Sequence, residues 1–157
     1  KRLAPVLQAM SQAVYDFGET PGAANIVKLA GNFMIGAAVE AMGEAFALAE
    51  KHGIAREAMA GFITETMFAA PVYRNYAPPI AARKAKEIGF LLRLGMKDVN
   101  LVLDATERSH TPMPFADIVH GRLLAAMAKG RGEMDWTALA LGVSEDAGLW
   151  KPDKAAF

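Results

Sequence analysis

From Ala23 to Lys51 the sequence runs without a proline, and apolar residues recur close to the helical period: Ile26, Val27, Ala30, Met34, Ala38, Ala41, Met42 and Ala45. This predicts one helix of roughly 30 residues, about 45 Å long and far above the average length of a helix. A helix of that length buries its apolar face only if other elements pack along it. In a chain of 157 residues, which suits a single domain with its own core, such a helix has to be the spine. His52-Gly53 supplies the stop, with Gly53 in the left-handed position.

The remainder reads as shorter helices around that spine. Residues 1–12 look like the end of a helix. Residues 13–17, Ala-Val-Tyr-Asp-Phe, alternate briefly like a strand. Gly18 to Gly22 reads as a turn, with Thr20 as the cap of the long helix and Pro21 at its first position. A second helix is expected over 55–69. The proline-bearing stretch Pro71 to Pro79, which holds Tyr73, Arg74 and Tyr76, is read as a loop. A third helix is expected over Gly95 to Arg108 and a fourth over 115–129. Asp135 is read as the cap of a last helix, 136–143 or longer. After residue 17 nothing alternates like a strand, and no internal repeat is present. The fold class is therefore all-α.

Composition narrows the function classes. Seventeen basic and seventeen acidic residues cancel, so no broad basic field exists for nucleic acid or anionic lipid. The 53% hydrophobic content and mean hydropathy of +0.16 are rich for a soluble chain. They call for an extra buried surface, such as a subunit or domain interface. There are no cysteines, which removes thiolate chemistry and disulfides; a reducing cytoplasm is the plain expectation. No uninterrupted apolar run is expected to span a bilayer. The chain opens Lys1-Arg2-Leu3, without Met or a signal-peptide core, and reads as a piece of a longer protein.

Near the head of the long helix, Lys28 and Asn32 lie four residues apart and so share a face, one turn from each other. An amine that exchanges a proton and an amide that both donates and accepts can serve one oxygen-bearing ligand. Gly22, Ala23, Ala24, Ala30, Gly31 and Gly36 surround them, small enough for another molecule to approach the backbone. Taken alone, Lys28 reads as an exposed helical lysine, as most helical lysines are. Glu40 and Glu44 resemble a carboxylate pair without a metal partner at useful spacing. His110 and His120 are ten residues apart with no further ligand in a zinc pattern, so no metal site is expected.

Several motifs, taken in order, resemble one family. Gly22, Lys28 and Asn32 fall in register with a pattern G-x-x-G-x-G-x-x-x-K-x-x-x-N at the head of a long helix, although Glu19 and Ala24 stand where that pattern has its first and third glycines. Lys97-Asp98-Val-Asn-Leu101-Val-Leu103, then Thr111-Pro-Met-Pro114, then Gly130-Arg-Gly132-Glu-Met-Asp135 follow in the same sequence. Over about 15 to 150 the chain resembles the C-terminal helical domain of the β-hydroxyacid dehydrogenases, a family that includes 3-hydroxyisobutyrate dehydrogenase, tartronate semialdehyde reductase and, more distantly, 6-phosphogluconate dehydrogenase.

The resemblance implies hydride transfer between a nicotinamide and a small 3-hydroxy acid. It assigns proton transfer to Lys28 and substrate binding to Asn32 and Gly22; Tyr76 and Arg74 join the substrate side because substrate contacts often sit on loops and an arginine can pair bidentately with a carboxylate. Lys97 and Phe90 are assigned to the nicotinamide side. Asp98 is read as a helix-start residue favoured by the helix dipole. NAD or NADP would be held mainly by an N-terminal Rossmann domain, and no G-x-G-x-x-G loop occurs in these 157 residues. Residues 1–17 would be the end of that domain, and 18–157 the helical substrate-binding and oligomerisation domain. The implied partners are the hydroxy acid, the chain's own Rossmann domain and a second copy in a homodimer or higher homo-oligomer, with no nucleic acid and no membrane. The fragment alone is expected to be inactive. Two alternatives are a non-catalytic helical dimerisation module and an imine-reductase-like enzyme; in the latter group the lysine position typically carries another residue, so Lys28 argues against it.

Overall fold

The computed structural model describes residues 3–151. Among them are seven helices: α1 (Ala4–Met10), α2 (Ala23–Lys51), α3 (Arg56–Glu65), α4 (Pro71–Ala81), α5 (Leu92–Ser109), α6 (Pro114–Ala128) and α7 (Ala138–Asp146). The only β feature among the described residues is one isolated bridge, Leu91 to Asp135. The spine forms as its proline-free run requires, 29 residues long. Helices α3 to α7 all pack on it. Its buried face carries Gly36, Val39, Glu40, Met42, Gly43, Phe46, Ala47 and Ala49.

Close approach to α2 is made at its glycines. A Cβ on Gly43 would lie 3.1 Å from the Ala140 Cβ and 3.2 Å from the Ala140 Cα. Helix α7 therefore rests almost on the α2 backbone, and no larger residue fits without moving it. Phe46, Leu92, Leu123 and Leu139 are the largest apolar side chains fully buried beside that seam. By length and composition α2 is also apolar enough to cross a membrane, against the sequence expectation that no stretch would be. Packing against five helices accounts for the apolar residues of its second half, while 33% of the apolar stretch as a whole is buried.

Several boundaries differ from the sequence reading. Residues 13–18 form no strand; a brief alternation makes a strand only when a neighbour takes its backbone groups, and none among the described residues does. Neither Thr20 nor Pro21 starts α2. Gly22 is its N-cap, left-handed at φ +87°, with no side-chain cap. The second helix ends at Glu65 rather than residue 69.

The largest correction is α4. The stretch read as a loop is helical, so Arg74 and Tyr76 stand on a helix. Pro71 sits in the first turn, where a missing N–H costs nothing. Pro78 and Pro79 fall inside the last turn and leave the Arg74 and Asn75 carbonyls without their helical donors. Burial of Ala77, Ile80 and Ala81 outweighs that loss.

Helix α5 begins at Leu92, three residues early, because its first N–H groups are taken by another segment: Leu92 donates to the Met134 carbonyl at 2.9 Å and Arg93 to that of Gly132 at 3.1 Å. The last helix begins at Ala138, and its N-cap Thr137 makes no side-chain cap. Asp135 instead caps the turn before it, accepting the Thr137 N–H at 3.0 Å and hydroxyl at 2.8 Å.

Ion pairs lock the base of the fold. Arg56 donates to Glu50 at 2.8 Å and to the carbonyls of Ala81 and Ile80 at 2.8 and 2.7 Å, and Arg83 donates to the same Glu50 oxygen at 2.6 Å. This fastens the end of α2 to the start of α3 and the end of α4. Arg131 and Lys129 likewise pair with Glu145. Burial pushes the Glu50 and Glu145 carboxyls up, but the hydrogen bonds from Arg83 and Arg56, and from Arg131 and Lys129, outweigh it and hold both below their ordinary 4.5.

Phe46→Ala removes a fully buried ring and costs about 3–5 kcal/mol in denaturant unfolding. Because Glu50 and Glu145 titrate lower in the folded state, their stabilisation is complete above 4.5 and is lost as the pH falls through their depressed folded values. Glu40 works oppositely, since burial raises its carboxyl despite Arg122, so its contribution grows as the pH drops toward 4.5. Thermal midpoints should therefore fall below that value, and Glu145→Gln should lower the neutral midpoint while making the acid decline shallower.

Candidate functional site

The head of α2 projects beyond the packed part of the molecule. None of its residues before Gly36 is buried, and Ile26 and Val27 are exposed beside Lys28. Gly22 is needed there for its positive φ; a Cβ on it would meet nothing within 4 Å. The conformation thus demands glycine at this position, although the space around it is open.

Lys28 and Asn32 both reach across to α5 and meet Asp98. The Lys28 ammonium and the Asn32 Nδ2, the latter at 2.6 Å, donate to the same carboxylate oxygen, Oδ2. The Lys97 ammonium lies 3.1 Å from the other oxygen, Oδ1, without the alignment of a hydrogen bond. The Asp98 side chain is 3% exposed, whereas Lys28 is 54% and Lys97 60% exposed. Burial pushes the Asp98 carboxyl up; hydrogen bonds from Lys28 and Asn32, with the Lys97 ammonium close by, overcome this and hold it below its ordinary 3.8. The result is one buried anion under two half-solvated cations, a local surplus of one positive charge facing solvent.

That arrangement has definite chemical capacity. An ammonium has three donors, and Lys28 spends one on Asp98, leaving two for a ligand. Asn32 spends one of its two amide N–H groups on the carboxylate, and no side chain among the described residues donates to its carbonyl oxygen. The group can bind an anion, present a donor to an oxygen and pass a proton.

The structure therefore brings together Lys28, Asn32 and Lys97. It places Tyr76 and Phe90 one layer deeper, where both rings meet Trp136 edge-on at centroid distances of 5.8 and 5.0 Å. Arg74 is separate: its Nε donates to the Thr64 carbonyl at 3.5 Å, at the end of α3. A cleft of about 560 Å³ lies between α4 and the 84–89 loop, lined among others by Tyr76, Lys84, Gly89 and Asp135; Lys28 does not line it.

Two residues were missed as site residues. Asp98 is not a helix-start residue; it lies in the second turn of α5, and the pairing Lys97-Asp98 was the signal that marked it. Trp136 gave no signal beyond its place after Asp135.

Asp98 should titrate below 3.8 when followed by its carboxyl ¹³C resonance. Lys28→Met removes its strongest donor, and the midpoint should then rise.

Comparison with known proteins gives a consistent picture. Residues 22–141 match the family described as NAD-binding of NADP-dependent 3-hydroxyisobutyrate dehydrogenase. An uncharacterized oxidoreductase of Bacillus subtilis, YfjR, is 36% identical over 135 residues, which is 86% of this chain and 47% of that protein. L-threonate dehydrogenase of Escherichia coli K12 is 29% identical over 148 residues, covering 88% and 46%. The crystal structure of 3-hydroxyisobutyrate dehydrogenase from Salmonella typhimurium superimposes with a TM-score of 0.82 at 28% identity, covering 89% of this chain and 49% of that one. The chain spans about half the length of these relatives.

Proposed function

We propose, from the premise that the chain belongs to the NADP-dependent 3-hydroxyisobutyrate dehydrogenase family, that it is the helical half of an oxidoreductase moving hydride between a nicotinamide and a small 3-hydroxy acid. The observation that carries this reading is the convergence of Lys28 and Asn32 on buried Asp98, with the Lys28 amine still more than half exposed. Relatives of the chain include L-threonate dehydrogenase and 3-sulfolactaldehyde reductase of Escherichia coli, whose names both denote small, oxygen-rich substrates.

Two ammonium groups and one carboxamide at one edge suit the oxygens of an acid and of a nicotinamide amide. No glycine-rich loop is present for the diphosphate. The residues fit the reacting end of the dinucleotide, and the other end calls for a second domain. When bound, the nicotinamide supplies the hydride acceptor or donor.

The chain's own residues account for the remainder. Oxidising an alcohol removes a hydride from the carbinol carbon and a proton from its hydroxyl. Lys28, as the amine, takes that proton; in reduction, as the ammonium, it returns one to the carbonyl oxygen. Asp98 holds the Lys28 side chain over α5. Asn32 orients the hydroxyl or the carboxylate, and Lys97 attracts the acid group. The exposed apolar surface beside Lys28 and along α1, including Ile26, Val27, Leu3 and Met10, is where a dinucleotide domain closes over the site and excludes water. Homo-oligomers in a reducing cytoplasm complete the reading.

The test is NAD(P)⁺-dependent oxidation of a panel of 3-hydroxy acids by the complete polypeptide. Lys28→Ala should reduce kcat by on the order of 10²- to 10⁴-fold with the circular dichroism unchanged. Undiminished turnover in that variant would remove Lys28 from the mechanism. Residues 1–157 alone should show no turnover.

A further inference from the structure

The contacts of Asp98 depend on how far α5 stands from α2, and one turn away both helices carry a glycine. Gly36 follows Asn32 by four residues on α2, and Gly95 precedes Asp98 by three on α5. Trp136, 3% exposed, stands against both. A Cβ on Gly95 would lie 3.1 Å from its Cε3 and 3.8 Å from the Phe90 Cε1. A Cβ on Gly36 would lie 3.9 Å from its Cζ3 and 3.2 Å from the Val119 Cγ1.

The indole has little room to yield. Phe90 and Tyr76 abut it, and its backbone N–H donates to the Phe90 carbonyl at 2.9 Å. The preceding residue is held harder still: Asp135 Oδ2 accepts the N–H groups of Gly89 and Phe90 at 2.9 and 3.0 Å, while Oδ1 accepts both donors of Thr137. Packed interiors transmit volume changes rather than absorb them.

We propose that Gly95 and Trp136 are positioning residues: their contact is the spacer that sets α5 against α2 and so brings Asp98 within reach of Asn32 and Lys28. The two partners respond unequally to that spacing. Lys28 has a flexible four-carbon stem and follows a shift of a few tenths of an ångström. Asn32 is short and cannot follow, so its bond, 2.6 Å long, lengthens with the gap and is lost first once it passes about 3.2 Å. The consequence for turnover rests on the function proposed above; the consequence for Asp98 does not.

The experiment uses the complete polypeptide with Gly95→Ala, Gly95→Val and the double variant Gly95→Ala/Trp136→Phe. Asp98 is followed by its carboxyl ¹³C titration, and kcat and KM are measured in parallel. Added volume at residue 95 should move the Asp98 midpoint stepwise upward toward the ordinary carboxylate range. The smaller ring in the double variant should bring it back. In Gly95→Ala, kcat should fall on the order of tenfold, with a smaller change in KM. The spacer is refuted if folded Gly95→Ala leaves Asp98 unmoved, or if Trp136→Phe does not reverse its shift. Should Gly95→Val not fold, the alanine and double variants decide. A shifted Asp98 in a protein that oxidises no hydroxy acid even as wild type would uphold the spacer and sink the proposed reaction.

Discussion

Burying one face of a 29-residue helix is the constraint on which everything else here rests. An isolated helix gains too little to persist, so α2 holds only because five shorter helices cover its second half. Glycines decide how closely they come. At Gly43 the α7 backbone reaches α2 almost directly; at Gly36 a valine and the edge of an indole fill the space. Full burial stops at Gly36, and of the turns before it only residues such as Ile35 pack partly on the core. The domain is thus a rod anchored firmly at one end, which carries Lys28 and Asn32 on its uncovered end. Such a rod holds its side chains more rigidly than a loop does, while leaving them open to solvent.

Charge is used in two ways in this molecule. At the base, Glu50 and Glu145 are each surrounded by two cations and serve only to tie helix ends together. At the head of α2 the same device faces outward. Asp98 is buried and ionised because Lys28, Asn32 and Lys97 reach it, yet both lysines keep most of their donors in solvent. An ion pair with one partner exposed adds little stability; what it secures is the place and the direction of an amine. The surplus positive charge left at the surface is the property an acidic ligand would read.

The spine was legible in the sequence because helical periodicity and the absence of proline are local properties. The grouping of Lys28 with Asn32 was legible for the same reason, since a spacing of four puts two residues on one helix face. Lys97 entered through the order of motifs. What stayed hidden depended on residues distant in sequence. Pro71 to Pro79 reads as a loop by local rules, and only burial of Ala77, Ile80 and Ala81 turns it into α4. Helix α5 starts at Leu92 because backbone carbonyls forty residues away take its free N–H groups. Asp98 looked like a dipole-favoured helix start because its burial and its partners on α2 belong to no local pattern.

By itself, the sequence determined that this chain is helical, that one helix is its axis, and that a lysine and an amide share the head of that axis. These follow from torsional preference and periodicity, which act within a few residues. Only the tertiary structure decided that a carboxylate from α5 receives both of them, and that an indole wedged between two glycines stands one turn below. Those are matters of distance between helices, and interhelical distance is set by the volume of every side chain in the gap.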